Sequence, residues 1–217
     1  MSLQRLARLR EGIYRFVSAG FSYPTTELLE VAAGTVPVLD DLGLFDYAFA
    51  LPVVEAAQTL ADTDLDDLRV AHAALFEAGV GGAACSPHAT TYLADPRTGG
   101  VARMQSELRA AYRRLGFGDD LGPGDMVDHV ATEIEALARL CAAEVRTRDD
   151  GGDPAHALYQ QLDFLVIHLA PWIPVFTRQV AAVDRDRAYS ALATALHAFV
   201  EHDRELLRAL LQPIGAT

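Results

Sequence analysis

Asp125, Asp128, His129, Thr132 and Glu133 stand close together in this 217-residue chain, and their side-chain types are those of acid–base, metal and guanidinium chemistry. On a helix, His129 and Glu133 lie one turn apart, as do Asp128 and Thr132, so each pair can touch. A carboxylate beside an imidazole can hold a proton, supply metal ligands or orient an arginine. His72, His88 and His168 are the further candidates. No His-Glu-x-x-His occurs and no two histidines stand four apart, so the helical zinc pattern is missing. For His72 and His168 the plain reading is a hydrogen-bonded histidine at the edge of a core. There is no Gly-x-Ser-x-Gly elbow, phosphate loop or dinucleotide fingerprint, and Gly79-Val80-Gly81-Gly82 follows no strand pattern. All 18 basic residues are arginine, which excludes lysine nucleophiles and a phosphate-loop lysine. These residues make no complete catalytic set, no metal site and no cofactor site.

The elements that must position this cluster are helical. Gly118, Gly122, Pro123 and Gly124 interrupt the chain, and Asp125 follows as an N-cap. From there Met126, Val127, Val130, Ile134, Leu137, Cys141 and Val145 recur in steps of three and four, the buried stripe of one long helix to about Arg148. Before the break, helical spacing covers Leu3 to Val17, a short helix through Val31 ended by Gly34 and Pro37, a short piece over 38–47, and 53–60 after Pro52. A helix follows with Leu65, Leu68, His72, Leu75 and Phe76 on one side and Thr63 and Asp66 as a capping box. Ala78 to Gly100 shows no helical period; so long an irregular connection suggests a functional loop, and it holds Ser86-Pro87-His88-Ala89-Thr90-Thr91-Tyr92. Helix resumes over 101–115. After the long helix, Asp153-Pro154 opens another; Pro171 and Pro174 flank the single Trp172; two more helices complete the chain. Trp172 reads as a core residue or as an anchor for a partner.

No segment alternates like a strand, so the fold class is all-α: a single helical-bundle-like domain over 1–217 with about eight to ten helices. It divides into an N-terminal set (1–117), a hinge at 118–124 and a C-terminal set (125–217). A short hinge of this kind permits helix exchange, so the expectation is mainly monomer with a domain-swapped dimer as a minor species. The net charge of −12 argues against nucleic acid and suits a basic partner. No apolar run spans a membrane or resembles an export signal, and two separated cysteines fit a reducing compartment; the expected location is cytoplasmic.

Leu75-Phe76, the loop with Pro87 and Tyr92, Tyr112 before Gly116-Phe117, Asp128-His129 with Glu133, then Phe164, His168-Leu169 and Trp172 follow one another in an order that resembles the TorD/DmsD/NarJ-type chaperones, the redox-enzyme maturation proteins. The resemblance runs from the first helix to about Phe176. It departs from the family where a Pro-Pro-Tyr-Glu-Ser-like run is replaced by Ser86 to Tyr92. It departs again where a Glu-Pro-x-Asp-His form becomes Asp125-Met126-Val127-Asp128-His129. The resemblance implies a dedicated chaperone for one molybdenum oxidoreductase. Such a protein binds the twin-arginine signal or N-terminal segment of the catalytic subunit and delays export until the molybdopterin cofactor is in place. On this reading Asp125, Asp128, His129, Glu133, Pro87, Tyr92, Trp172 and His168 line or support the peptide site. The alternative is a helical metal-dependent phosphohydrolase built on His72, Asp128, His129 and His168.

Overall fold

The structure, a computed structural model, describes residues 2–41, 47–77, 82–117, 126–184 and 187–212. Among them the chain forms ten α-helices and no strand. They are α1 (Leu3–Phe21), α2 (Thr26–Asp41), α3 (Ala50–Asp62), α4 (Leu65–Phe76), α5 (Ala89–Leu93), α6 (Gly100–Arg114), α7 (Val130–Asp149), α8 (Ala155–Phe164), α9 (Ile173–Val183) and α10 (Ala188–Leu211).

The stripe Leu9, Ile13, Phe16 and Val17 of α1 is buried, as its spacing predicts. α1 lies along α7 in the most extensive helix pairing of the fold. Ser18 fastens the two where its hydroxyl donates to the Ala131 carbonyl at 2.9 Å. α10 packs on α3 and α9, and α2 covers α3. The buried cluster joins Phe16, Phe21, Leu60, Leu137, Trp172, Phe176 and Leu196. The polar heart of the bundle was not legible beforehand. Arg10 of α1 is enclosed and donates to Asp203 of α10, to Glu144 of α7 at 2.9 Å and to the side-chain amide oxygen of Gln161 of α8 at 2.5 Å. Tyr14 donates to the same Asp203 at 2.7 Å, and Arg148 of α7 closes the far side of Glu144 at 2.8 Å.

Several boundaries differ from expectation. α2 does not end at Gly34 and Pro37 but continues to Asp41. Leu28, Ala32 and Leu39 are buried along it, and that packing outweighs the hydrogen bond that Pro37 cannot make. The separate helix expected over 38–47 is therefore partly the end of α2, and 42–46 lie outside the described residues. α4 is capped by Asp64, whose carboxylate accepts the Asp66 N–H at 2.8 Å, while the Thr63 hydroxyl turns back to the Thr59 carbonyl. The connection 78–100 is not wholly irregular: it contains α5 and a 3-10 turn at Pro96–Thr98. The long helix begins at Val130, not at Asp125; its cap is His129, whose Nδ1 accepts the Ala131 N–H at 3.2 Å. Met126 and Val127 thus belong to the turn before it. The hinge 118–124 and Asp125 lie outside the described residues. Near Trp172 the chain passes from α8 into a π-helical stretch, Leu165–Leu169, where the Ala170 N–H reaches the Leu165 carbonyl at 2.8 Å. Pro171 has no N–H with which to continue the ladder, and α9 restarts at Ile173.

Candidate functional site

The loop before α5 and the turn before α7 are pinned to each other by backbone. The Ala89 N–H donates to the Asp128 carbonyl and the Val130 N–H to the Pro87 carbonyl, both at 2.8 Å. His88 and His129 face each other across this two-residue antiparallel clip, ring centres 5.4 Å apart. Pro87 is buried there and exposes its carbonyl to one of the free N–H groups at the start of α7, so it acts as a backbone cap.

Asp128 is enclosed behind the clip. The Thr90 hydroxyl donates to one of its oxygens at 2.5 Å; Gln105 of α6 donates to the other at 3.1 Å; His88 Nδ1 lies 3.5 Å away. Burial alone would raise this carboxyl, but the bonds from His88, Thr90 and Gln105 outweigh it and hold it well below the usual carboxylate range. Asp128 is therefore an ionised post joining the loop, α6 and the start of α7. Burial, with a smaller contribution from His88 and His72, lowers His129 to about 4, so its ring is neutral at pH 7, in keeping with Nδ1 acting as an acceptor.

Glu133 does not pair with His129. It is fully enclosed and accepts the Trp172 indole N–H at 3.1 Å, with its second oxygen lacking a partner among the described residues. Burial pushes its carboxyl well up, the indole opposes this, and Asp128 adds to it. Trp172 is likewise fully enclosed, so it anchors the core rather than a partner's surface. Tyr92 stacks on it with ring centres 5.4 Å apart. The Tyr92 hydroxyl donates to the Ser86 carbonyl at 2.8 Å, and burial pushes its pKa up to about 12.

The clip frames an open hollow of about 560 Å³ lined by Ser86, Pro87, His88, Met126 and His129, with His72, Phe76 and Glu77 from α4 and its end. Pro87 and His129 line it directly, while Asp128, Glu133, Tyr92 and Trp172 are not part of its lining. His168 is elsewhere: it faces the hollows between α6 and α8 beside Arg114, Phe164 and Ile167. Of the four residues of the phosphohydrolase alternative, His72 and His129 border one hollow while His168 lies apart, and among the described residues no three His, Cys, Asp or Glu side chains are placed to hold a metal. Sequence reasoning missed Thr90 and Gln105, which hold Asp128, and Glu77 at the rim. Thr90 sat inside the loop already singled out; Gln105 occupies a polar helical position with nothing in its spacing to mark it.

Among the described residues no single helix is long and apolar enough to cross a membrane. Residues 43–178 match the family model described as nitrate reductase delta subunit. The chain is 30% identical over 202 residues to the selenate reductase assembly chaperone protein of Thauera selenatis, covering 93% of this chain and 91% of the relative. It is 28% identical over 166 residues to the chlorate reductase assembly chaperone protein of Ideonella dechloratans, 73% of this chain and 83% of that one. The solved structure of a putative redox enzyme maturation protein from Archaeoglobus fulgidus shares the fold, with a TM-score of 0.54 and 19% identity over 93% of this chain and 95% of that one. A family model spanning most of the chain and a relative matched along nearly its whole length place the chain in the nitrate reductase delta subunit family, the TorD/DmsD/NarJ-type molybdoenzyme assembly chaperones.

Proposed function

We propose that this protein is the cytoplasmic assembly chaperone of one molybdenum oxidoreductase and has no turnover of its own. It binds the N-terminal or twin-arginine segment of the catalytic subunit and holds that subunit until molybdopterin is inserted and export can proceed. The observation that carries the reading is the clip between 87–89 and 128–130. It fixes two otherwise independent segments at the edge of a hollow large enough for several side chains. Apolar and ring surfaces from Phe76, Pro87, Met126 and His129 supply contact area. Asp128 acts from behind by holding the loop, since its oxygens are occupied and enclosed. The relatives named for selenate and chlorate reductase assembly support a reductase as the client class.

The test is capture of the tagged protein from its native host, followed by calorimetry with the N-terminal peptide of the captured subunit. A molybdopterin-dependent catalytic subunit is expected, with Asp128→Asn weakening peptide binding by about 1–3 kcal/mol through the loosened loop. Reproducible capture of an unrelated protein, or peptide binding untouched by Asp128→Asn in a folded variant, counts against the reading.

A further inference from the structure

The hollow carries one feature the peptide reading does not use. Glu77 ends α4 as its C-cap, and its side chain stands 56% exposed at the rim. Among the described residues its one ion-pair contact is with His72 Nδ1 at 3.7 Å, beyond a good hydrogen bond. Burial lowers the pKa of His72, against smaller opposing effects from the Phe21 carbonyl and Glu77, so the ring leaves the Glu77 charge largely uncompensated. Among the described lining residues Glu77 is the only carboxylate. Asp128 is occupied by Thr90 and Gln105, and Glu133 is enclosed against Trp172, so neither can reach a ligand.

The walls around Glu77 are rings. His72 meets Phe76 edge-on with centres 5.3 Å apart, and His129 meets His88 in the same way. His129 is neutral at pH 7, so that wall does not repel a cation. A half-exposed carboxylate beside neutral rings matches a guanidinium, which is planar, stacks on rings and pairs with a carboxylate through two N–H groups. An ammonium makes the ion pair without the stacking or the fork.

We propose that Glu77 is the residue that recognises an arginine of the bound segment, with His72, Phe76 and His129 as the ring surfaces against which the guanidinium lies. This rests on the reading that the hollow receives a client N-terminal segment. It assigns the charge recognition to Glu77 instead of Asp128 or Glu133, and it makes arginine preferred over lysine.

The experiment uses the full chain and three synthetic peptides, each with an apolar run preceded by two adjacent arginines, two lysines or two glutamines. Calorimetry at one fixed salt concentration compares wild type, Glu77→Gln and Glu27→Gln, the last an exposed control of equal charge change on α2. Thermal melts establish that all three are folded. Wild type should bind the arginine peptide most tightly, and Glu77→Gln should weaken that binding about fivefold, as a half-exposed charge-assisted pair does. The glutamine peptide should bind wild type and Glu77→Gln alike, and Glu27→Gln should behave as wild type. If the arginine peptide binds Glu77→Gln as tightly as wild type, the assignment to Glu77 is overturned while the peptide reading stands. If wild type binds none of the peptides, the peptide reading itself fails for this class of segment and the assignment falls with it.

Discussion

Arg10 is enclosed by three acceptors from three different helices, so its removal leaves Asp203 buried with no cation beside it and takes from Glu144 one of its two arginines. Breaking a buried ion pair costs more than replacing it whole, because the surviving charge keeps its desolvation penalty. Arg10→Met should therefore lose about 3–5 kcal/mol in urea unfolding. Arg10→Met combined with Asp203→Leu should recover part of that loss. A single variant within about 0.5 kcal/mol of wild type is incompatible with this network. Glu133 makes the opposite case. Its folded-state carboxyl is raised, chiefly by burial, above the ordinary unfolded value, so the native state keeps a proton that the unfolded state gives up. The sign follows: stability is intact below the ordinary glutamate range and falls as pH rises towards the raised value, by up to about 1.4 kcal/mol per pH unit. Glu133→Gln keeps the shape of the protonated acid without the titration. Its stability relative to wild type should rise with pH above the ordinary glutamate range. An identical pH profile for the two proteins in denaturant titrations refutes a protonated native Glu133. From sequence, Glu133 reads as a partner for His129 by helical spacing alone. That pairing requires both residues to be helical, whereas His129 is the extended cap, and Glu133, between Val130 and Leu137 on the buried stripe, meets Trp172 instead.

At the level of elements, the helix spacing of apolar residues located α1, α4, α6, α7 and α10 to within a few residues. The failures were local signals overruled by packing. Gly34 and Pro37 read as breakers because each is costly within a helix, yet the buried side of α2 carries them through. The start of α7 was misplaced because Asp125 looks like a cap, whereas His129 is a much less common one. The continuity of α2 has a direct consequence. An added Cβ at Gly34 meets no atom within 4 Å, and the residue is helical, so Gly34→Ala should stabilise the protein by about 0.5–1 kcal/mol. Gly20 of α1 should not share that gain, since its Cβ would sit 2.6 Å from Leu192 Cδ2 in the packed seam with α10. Urea midpoints for the two alanine variants measured side by side decide this. A stabilising effect at Gly20, or a destabilising one at Gly34, contradicts the packing described.

For the molecule as a whole, the helical period of the apolar residues carried the fold class and the ordered motifs carried the family, while the candidate site was legible only in part. Pro87 and His129, singled out by type and position, border the hollow; α4 closes around it, a long-range contact that no local pattern shows. The expectation of exchange between protomers rests on 118–124 and lies outside the described residues. The net charge of −12 bears on how a basic segment arrives. Long-range attraction accelerates encounter and is screened beyond roughly 10 Å at 0.1 M salt, whereas the ring and apolar contacts in the hollow are not screened. Raising salt should therefore slow association of an arginine-bearing peptide far more than it speeds dissociation. Stopped-flow binding across a salt series separates the two rates. With the proposed site, the association rate falls steeply and then levels off, and measurable affinity persists at high salt through the apolar contacts. Complete loss of binding at high salt would mean that charge alone holds the peptide, which the ring-lined hollow does not predict.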